Sequence, residues 1–273
     1  MPEAIKIVNP EDFEGAVRAA LRLRPESIIV GGGDGSVATA AGLIAGSDTA
    51  LGVLPMGTFN LVARDLGIPL DPKAGAAALA TARPGRIDVA TVNGRPYLCV
   101  CILGFYPNLV FARDGERALP WWRKTLGVFR LMFRAFRDYP PLHISVVGDA
   151  GAEGRYRSRF AAIVNNPYTD EPGLIPTRAS LDSGNLAVYV GRHRDIRQFI
   201  LGGLAFIGGR MMEDPNLLSL RGTAFEIDIS RRRSLRVMID GENVRLTPPL
   251  RFSITPRHLS VLLPAPGEGE RSR

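Results

Sequence analysis

The sequence has no apolar run close to the roughly 20 residues that a bilayer-spanning helix needs. The longest candidate, Phe199–Gly209, is short and rich in glycine. The first residues, Met1-Pro2-Glu3-Ala4, lack the basic-then-apolar pattern of a signal segment, so a cytoplasmic location is the expectation. Cysteine is scarce, with Cys99 and Cys101 as the pair. Two residues apart on one strand, they face the same side. That spacing suits core packing, gives no sign of a disulfide framework and makes a poor zinc site. Lysine occurs only at Lys6, Lys73 and Lys124, so arginine carries most of the positive charge.

What is present describes an ordinary globular chain. The 273 residues are 45% hydrophobic and 22% charged, enough for a large core or two modest domains. The net charge of +7 attracts polyanions: nucleotides, nucleic acid or anionic lipid. Nucleic acid is disfavoured, because the basic residues are scattered and no recognised nucleic-acid module occurs.

The first part alternates strand and helix patterns. Ile5–Val8 reads as a strand, and Asn9-Pro10-Glu11-Asp12 as the start of a helix running to about Leu23. Ser27–Val30 and Leu51–Leu54 read as buried strands. Helices are expected over Ser36–Ala45, over Asn60–Leu66, and from Asp71 to about Ala82. Such alternation predicts a parallel sheet, with ligands at the carboxyl ends of its strands. After Arg86 strands dominate: Arg86–Val92, Pro96–Leu103, Leu142–Val147, Tyr156–Val164, Leu186–Val190, Ala224–Ile229, Leu235–Ile239 and Leu250–Ile254. Helical patches at Trp121–Arg137 and Asp195–Ile207 interrupt them. The expectation is an α/β domain over residues 1–87 and a β-rich, sandwich-type domain over 88–264, whose last segment can return to the first. Residues 265–273 form a charged tail expected to be disordered.

Two strand-to-helix junctions carry the chemistry. Gly31-Gly32-Gly33-Asp34-Gly35-Ser36 lets the backbone approach a phosphate, and the next helix would offer it N–H groups. Asp34 would repel phosphate, so its expected task is to hold Mg²⁺ or to fix the loop. The pattern is neither G-x-G-x-x-G nor a P-loop with its lysine, and a plain tight turn remains the alternative. In Pro55-Met56-Gly57-Thr58-Phe59-Asn60, Thr58 and Asn60 could donate to phosphate oxygens, and Arg64 could clamp charge. Alternatively Asn60 is an N-cap and Arg64 a surface charge. Two such loops on neighbouring strand ends favour a nucleotide site.

G-G-G-D-G-S, then P-x-G-T-x-N-x-x-A-R, then a late Asp-Gly-Glu together resemble the diacylglycerol-kinase catalytic family, over about residues 5 to 264. That family includes bacterial lipid kinases and the sphingosine and ceramide kinases. The resemblance implies a NAD kinase/diacylglycerol kinase-like fold that binds ATP and Mg²⁺ between two domains. It implies phosphate contacts at Gly31, Gly32, Gly33, Gly35, Ser36, Gly57, Thr58, Asn60 and Arg64. It implies nucleotide and magnesium placement by Asp34 and Asp88, a general base at Asp240 supported by Glu242, and Asn166 near the cleft. The acceptor would be a lipid hydroxyl, diacylglycerol or a relative, met at the inner membrane face. A catalytically weak nucleotide- or lipid-binding protein and a relative of the NAD kinases are the competing readings, and a homodimer is left open.

Three departures from the family stand out. An initial strand with an Asn-Pro-x-Ser-Gly-like loop is missing, which would expose a sheet edge. Leu61 follows Asn60 where many members carry a polar or acidic residue. Ser183 stands where bacterial members place the second aspartate of an Asp-Asp-Gly metal site, with Asp182 beside it. For contact with a membrane, Trp121–Arg137 is the expected element: Arg123, Arg130, Arg134 and Arg137 share a stripe beside Trp121, Trp122, Leu126, Phe129 and Phe133. A core-packing helix with a solvated basic face is the alternative.

Overall fold

The computed structural model describes residues 4–104, 137, 139–149, 151–173 and 175–265. The expected helix Trp121–Arg137, apart from Arg137 itself, lies outside the described residues, as does the expected tail from Gly267. No helix among the described residues is long and apolar enough to cross a membrane. The chain forms two compact units. The first comprises Met1–Cys99, Ser180–Gly184 and Ile254–Arg273; the second comprises Val100–Ala179 and Asn185–Ser253.

The first unit is built on parallel pairing. Strand β1 (Ser27–Gly32) runs parallel to β2 (Ala50–Pro55), in register from Ser27 opposite Ala50 to Gly32 opposite Pro55. On its other side β2 meets the late part of β14 (Leu250–Leu263), Val261 opposite Leu51. Next to β14 comes β3 (Arg83–Val92), joined to β4 (Arg95–Tyr97) by Asn93-Gly94. Both turn residues have positive φ, 50° and 79°, as a tight hairpin requires. Helix α1 (Phe13–Arg22) packs on α2 (Asp34–Ile44). α2 in turn crosses β4, where Gly42 leaves room for Pro96. After the short α3 (Leu61–Asp65), α4 (Pro72–Ala80) begins at Asp71, whose carboxylate accepts the Ala74 N–H at 2.9 Å. Val30, Val37, Ile44, Leu51, Val53 and Val62 are among the buried core residues.

The second unit is antiparallel. One sheet orders β10 (Leu217–Gly222), β9 (Leu186–Gly191), β8 (Phe160–Asn165), β5 (Val100–Gly104), β12 (Leu235–Ile239) and β13 (Glu242–Leu246). Another pairs the start of β14 with β11 (Ala224–Ile229), then β6 (Leu142–Gly148), then β7 (Glu153–Ser158). Helix α5 (Ile196–Ile207) follows β9, and Asp195 caps it by accepting the Gln198 N–H.

Several expected boundaries move. Ile5–Val8 forms no strand; Ile5 and Ile7 are 84% and 97% exposed. β1 is the end of its sheet order, and its Ile29 is 47% exposed. Pro96–Leu103 is two strands, not one, and the chain passes from the first unit to the second at this break. Cys99 lies in the break while Cys101 sits in β5, so the two do not share a strand face; both are buried free thiols. Burial, with the Asp240 charge adding to it, pushes the Cys101 thiol well above its ordinary range. Tyr156–Val164 likewise splits at Arg159, and its halves join different sheets.

Candidate active site

The glycine loop closes β1 and opens α2. Gly33, with extended backbone, is the N-cap, and Asp34 is the first helical residue. By helix geometry the N–H groups of Asp34, Gly35 and Ser36 have no carbonyl four residues back, so the loop presents unsatisfied donors and the positive end of the α2 dipole. The second loop leaves β2 and enters α3. Met56 donates its N–H to the Gly32 carbonyl at 3.1 Å, extending the β1–β2 pairing into the loops. The two loops then touch. A Cβ on Gly57 would lie 2.6 Å from the Gly33 Cα, and a Cβ on Gly33 would lie 3.5 Å from the Gly57 Cα. A Cβ on Gly32 would sit 2.8 Å from that of Ser36, and one on Gly31 3.0 Å from the Met56 sulfur. Gly57 is thus needed for backbone-to-backbone packing of the loops, and Gly32 for the close approach of Ser36, before any ligand is considered.

Asn60 locks the second loop. Its side-chain oxygen accepts the Gly57 N–H at 2.8 Å and its amide donates to the Gly57 carbonyl at 3.0 Å. Asn60 takes a left-handed conformation, φ 50°, which asparagine tolerates well, and its side chain makes no capping bond to α3. The expected choice between phosphate donor and N-cap thus has a third answer: the side chain shapes the turn. Arg64 is exposed and spends its Nε on the Phe59 carbonyl at 3.0 Å, which holds the guanidinium near the loop. Thr58 is exposed at the loop tip.

Asp34 does not face outward from the glycine loop. Its Oδ1 accepts the Val62 N–H at 3.4 Å, so it ties the start of α2 to the start of α3. Burial pushes this carboxyl above its ordinary value of 3.8; the N–H groups of Val62, Leu61 and Asn60 oppose the rise, and the Asp65 charge adds to it. A raised folded-state pKa means the stabilising form is the protonated one. Its contribution is whole below 3.8 and is lost as pH rises through the raised value, so Asp34 costs stability at neutral pH. Asp34→Asn keeps the acceptor oxygen and removes the charge. Thermal denaturation at neutral pH is expected to show the Asn variant at least as stable as wild type, with the difference closing as pH falls. Asp34→Ala leaves the Val62 N–H unsatisfied and is expected to cost about 1–3 kcal/mol. An Asn variant less stable than wild type at pH 7 would contradict this account.

Asp88, on β3, is fully buried. Its Oδ2 accepts the Gly184 N–H at 2.7 Å and its Oδ1 the Arg257 N–H at 2.8 Å. Asp182 in the same segment accepts from Ser180 at 2.6 Å and pairs with the Arg257 guanidinium at 2.9 Å. These bonds hold its carboxyl below the usual range, Ser180 contributing most, then Arg257. Asp88 therefore fastens together the three sequence-distant stretches of the first unit. Each Asp88 oxygen accepts one backbone N–H, which fixes the carboxylate within the first unit. Among the described residues no three of His, Cys, Asp and Glu gather into a metal-binding group. Asp34 and Asp88 do not supply a ready cage for Mg²⁺, and Asp182 is committed to Arg257.

In the second unit, Asp240-Gly241 is the two-residue turn between β12 and β13, with Ile239 paired to Glu242. Both turn residues have positive φ, 45° and 90°. Asp240 is 1% exposed, and its Oδ1 accepts the Val100 N–H at 2.9 Å while its own N–H donates to the Val100 carbonyl at 3.0 Å. Glu242 at the start of β13 is half-buried. Asn166 is fully buried beside β8: its N–H donates to the Asn185 carbonyl and its amide to the Asn165 side chain.

Residues 2–92 match the family described as "Diacylglycerol kinase catalytic domain", and residues 112–263 match the "YegS C-terminal NAD kinase beta sandwich-like domain". The chain belongs to the YegS-like diacylglycerol kinase family. A "Probable lipid kinase YegS-like" protein of Pseudomonas aeruginosa is 30% identical over 261 residues, 93% of this chain and 82% of the relative. A diacylglycerol kinase of Bacillus subtilis is 26% identical over 254 residues, 91% of this chain and 81% of the relative. The fold resembles the crystal structure of a diacylglycerol kinase from Bacillus anthracis, with TM-score 0.67 and 16% identity, over 96% of this chain and 84% of that one.

Within the family frame, sequence reading found the two loops and the Asp-Gly-Glu turn. It missed Val62, Gly184, Arg257 and Val100, the residues whose backbone N–H groups engage Asp34, Asp88 and Asp240. Backbone partners 28, 96, 169 and 140 residues away leave no mark in residue identity.

Proposed function

We propose that the chain transfers the γ-phosphoryl group of ATP to the hydroxyl of a lipid, diacylglycerol or a close relative. The observation that carries this reading is the contact between the two loops, with the open N-terminus of α2 beside them and the Asp34 carboxylate turned into α3. A triphosphate meets donors there without meeting a facing carboxylate. The first-turn N–H groups of α2 receive phosphate oxygens, Thr58 adds a hydroxyl donor, and Arg64 adds a positive charge. Mg²⁺ would be held mainly by the nucleotide's own phosphate oxygens, where it would supply neutralisation of their charge.

The acceptor side lies in the second unit. A general base must reach the proton it removes. Asp240 is almost fully enclosed, whereas Glu242, which opens β13 next to the turn, is half-buried. We therefore assign the base to Glu242 and a positioning role to Asp240, reversing the division expected from the sequence. In the step, the lipid hydroxyl loses its proton to Glu242 and its oxygen forms a new bond to the γ-phosphorus. The bond from that phosphorus to the β–γ bridging oxygen breaks, and ADP leaves with the electron pair.

The test is incubation of the purified chain with γ-labelled ATP, Mg²⁺ and mixed micelles containing diacylglycerol. Label in the organic phase is expected. Label in NADP when NAD is supplied instead would place the chain with the NAD kinases. ATP binding without transfer to either would leave a nucleotide-binding protein and remove the catalytic reading.

A further inference from the structure

Helix α5 is largely apolar, Ile-Arg-Gln-Phe-Ile-Leu-Gly-Gly-Leu-Ala-Phe-Ile, yet none of its residues is buried. Leu201 is 64% exposed, Leu204 59% and Ile207 44%; Met212, just beyond the helix, is 39% exposed. Single exposed leucines are normal on a soluble protein, but a continuous apolar helix face is a binding surface.

The inner face of α5 explains why these side chains turn outward. Phe199 meets the His193 ring edge-on, with centroids 5.8 Å apart. His193 Nε2 lies 2.7 Å from Asp214 Oδ2, and this pair fills the space against Gly202, where a Cβ would overlap both side chains. Phe199, Gly202 and Phe206 lie three and four residues apart, on one side of the helix. Arg197, Leu201 and Leu204 lie at i, i+4 and i+7, on the opposite side. The helix is fixed at its start as well: Asp195 accepts the Gln198 N–H, and the Gln198 side chain accepts the Arg194 N–H. The exposed stripe therefore belongs to an anchored element about 18 Å long.

Its start is basic. Arg192, Arg194, Arg197 and Arg210 are exposed around the helix and its ends. Asp195, engaged in the cap, is the acid at this start; at the far end stand Glu213, 4.0 Å from Arg210, Asp170, whose carboxylate accepts the Met212 N–H at 3.2 Å, and Glu171, which accepts the Thr177 hydroxyl. We propose that the outer face of α5 is the docking surface for an anionic phospholipid bilayer, with Leu201, Leu204 and Ile207 entering the acyl boundary and the arginines at its start meeting the headgroups. The inference rests on the lipid-kinase reading for its occupant, since a bilayer is where a lipid acceptor resides, and on charge complementarity. Amphipathic interfacial helices bind by apolar burial plus attraction of basic residues to anionic lipid.

The experiment is sedimentation of the full chain with vesicles and without nucleotide, so that the readout is independent of phosphoryl transfer. The vesicles are pure phosphatidylcholine, or phosphatidylcholine mixed with phosphatidylglycerol. Wild type is expected to bind the mixed vesicles more tightly than the neutral ones. Leu201→Asp with Leu204→Asp is expected to weaken that binding at least about thirtyfold. Arg194→Gln with Arg197→Gln is expected to abolish the preference for the anionic mixture. Leu204→Trp in a chain whose Trp121 and Trp122 are both changed to Phe keeps the test sound if the double aspartate variant misfolds: its emission should shift to the blue on mixed vesicles. Wild type ignoring the vesicles, undiminished binding by the aspartate variant, or unshifted Leu204→Trp emission would each overturn the proposal. So would a dimer by light scattering that the aspartate variant splits while vesicle binding persists. Phosphoryl transfer to micellar lipid together with vesicle binding that does not need α5 would end this proposal alone. Vesicle binding through α5 without any transfer would end the kinase reading alone.

Discussion

Glu242→Gln is expected to lower kcat for lipid phosphorylation by about 10²–10⁴-fold, with the KM for ATP close to that of wild type. Glutamine matches glutamate in size and keeps the pairing of β13 with β12. It cannot accept a proton at neutral pH, so an effect confined to kcat isolates the proton-transfer role from folding and from nucleotide binding. The informative comparison is Asp240→Asn. Asparagine still offers an oxygen to the Val100 N–H, which is what the Asp240 carboxylate does at 2.9 Å. If Asp240 positions rather than reacts, this variant keeps activity within about tenfold of wild type, far above Glu242→Gln. The opposite ranking, with the asparagine variant inert and the glutamine variant active, would restore Asp240 as the base and refute the assignment to Glu242.

Gly57→Ala is the second large effect, and it acts on the nucleotide side. The new methyl would lie 2.6 Å from the Gly33 Cα and 2.9 Å from the Asn60 Oδ1. Neither neighbour can yield cheaply. Gly33 is backbone at the cap of α2, and Asn60 is held by two hydrogen bonds to Gly57 itself. The loops must separate, which draws the α2 donors away from Thr58 and Arg64. A misplacement approaching 1 Å costs on the order of 10²-fold in such sites, so affinity for ATP should drop by about that much in calorimetric titration. Gly15→Ala is the matched control: no atom lies within 4 Å of the added methyl, and the site is in α1. It should leave ATP binding unchanged and raise stability by up to about 1 kcal/mol through helix propensity. Equal ATP affinity in the Gly57 and Gly15 variants would show that loop contact does not govern the site.

The parts of the fold that were legible are those where a local rule has one outcome. Ser27–Val30 and Leu51–Leu54 are short apolar runs ended by glycine or proline, and both are parallel strands leading into helices. Asp71 ahead of Pro72 marked a real helix cap. The failures have physical causes. Ile5–Val8 has strand composition, but strand pairing needs a partner and none of the described strands takes it up. β10 and β13 were overlooked: each stands at an end of its sheet among the described strands, and neither has more than two consecutive apolar residues. The breaks at Leu98-Cys99 and Arg159 fall inside apolar stretches, where composition does not signal a change of sheet. In the candidate site, residue types marked the turns, but the direction of each carboxylate depended on distant backbone.

Strand β14 gives its first residues to the second unit and its later ones to the first, where it lies against β2. On the ribosome this fixes an order of events. β1 and β2 emerge early, yet β2 keeps an open edge until Val261 has been made. At ordinary elongation speeds the wait is on the order of ten seconds. Throughout that interval the two nascent glycine-bearing loops hang from an unfinished sheet, and a chaperone or a pause in translation would have its largest influence on yield there.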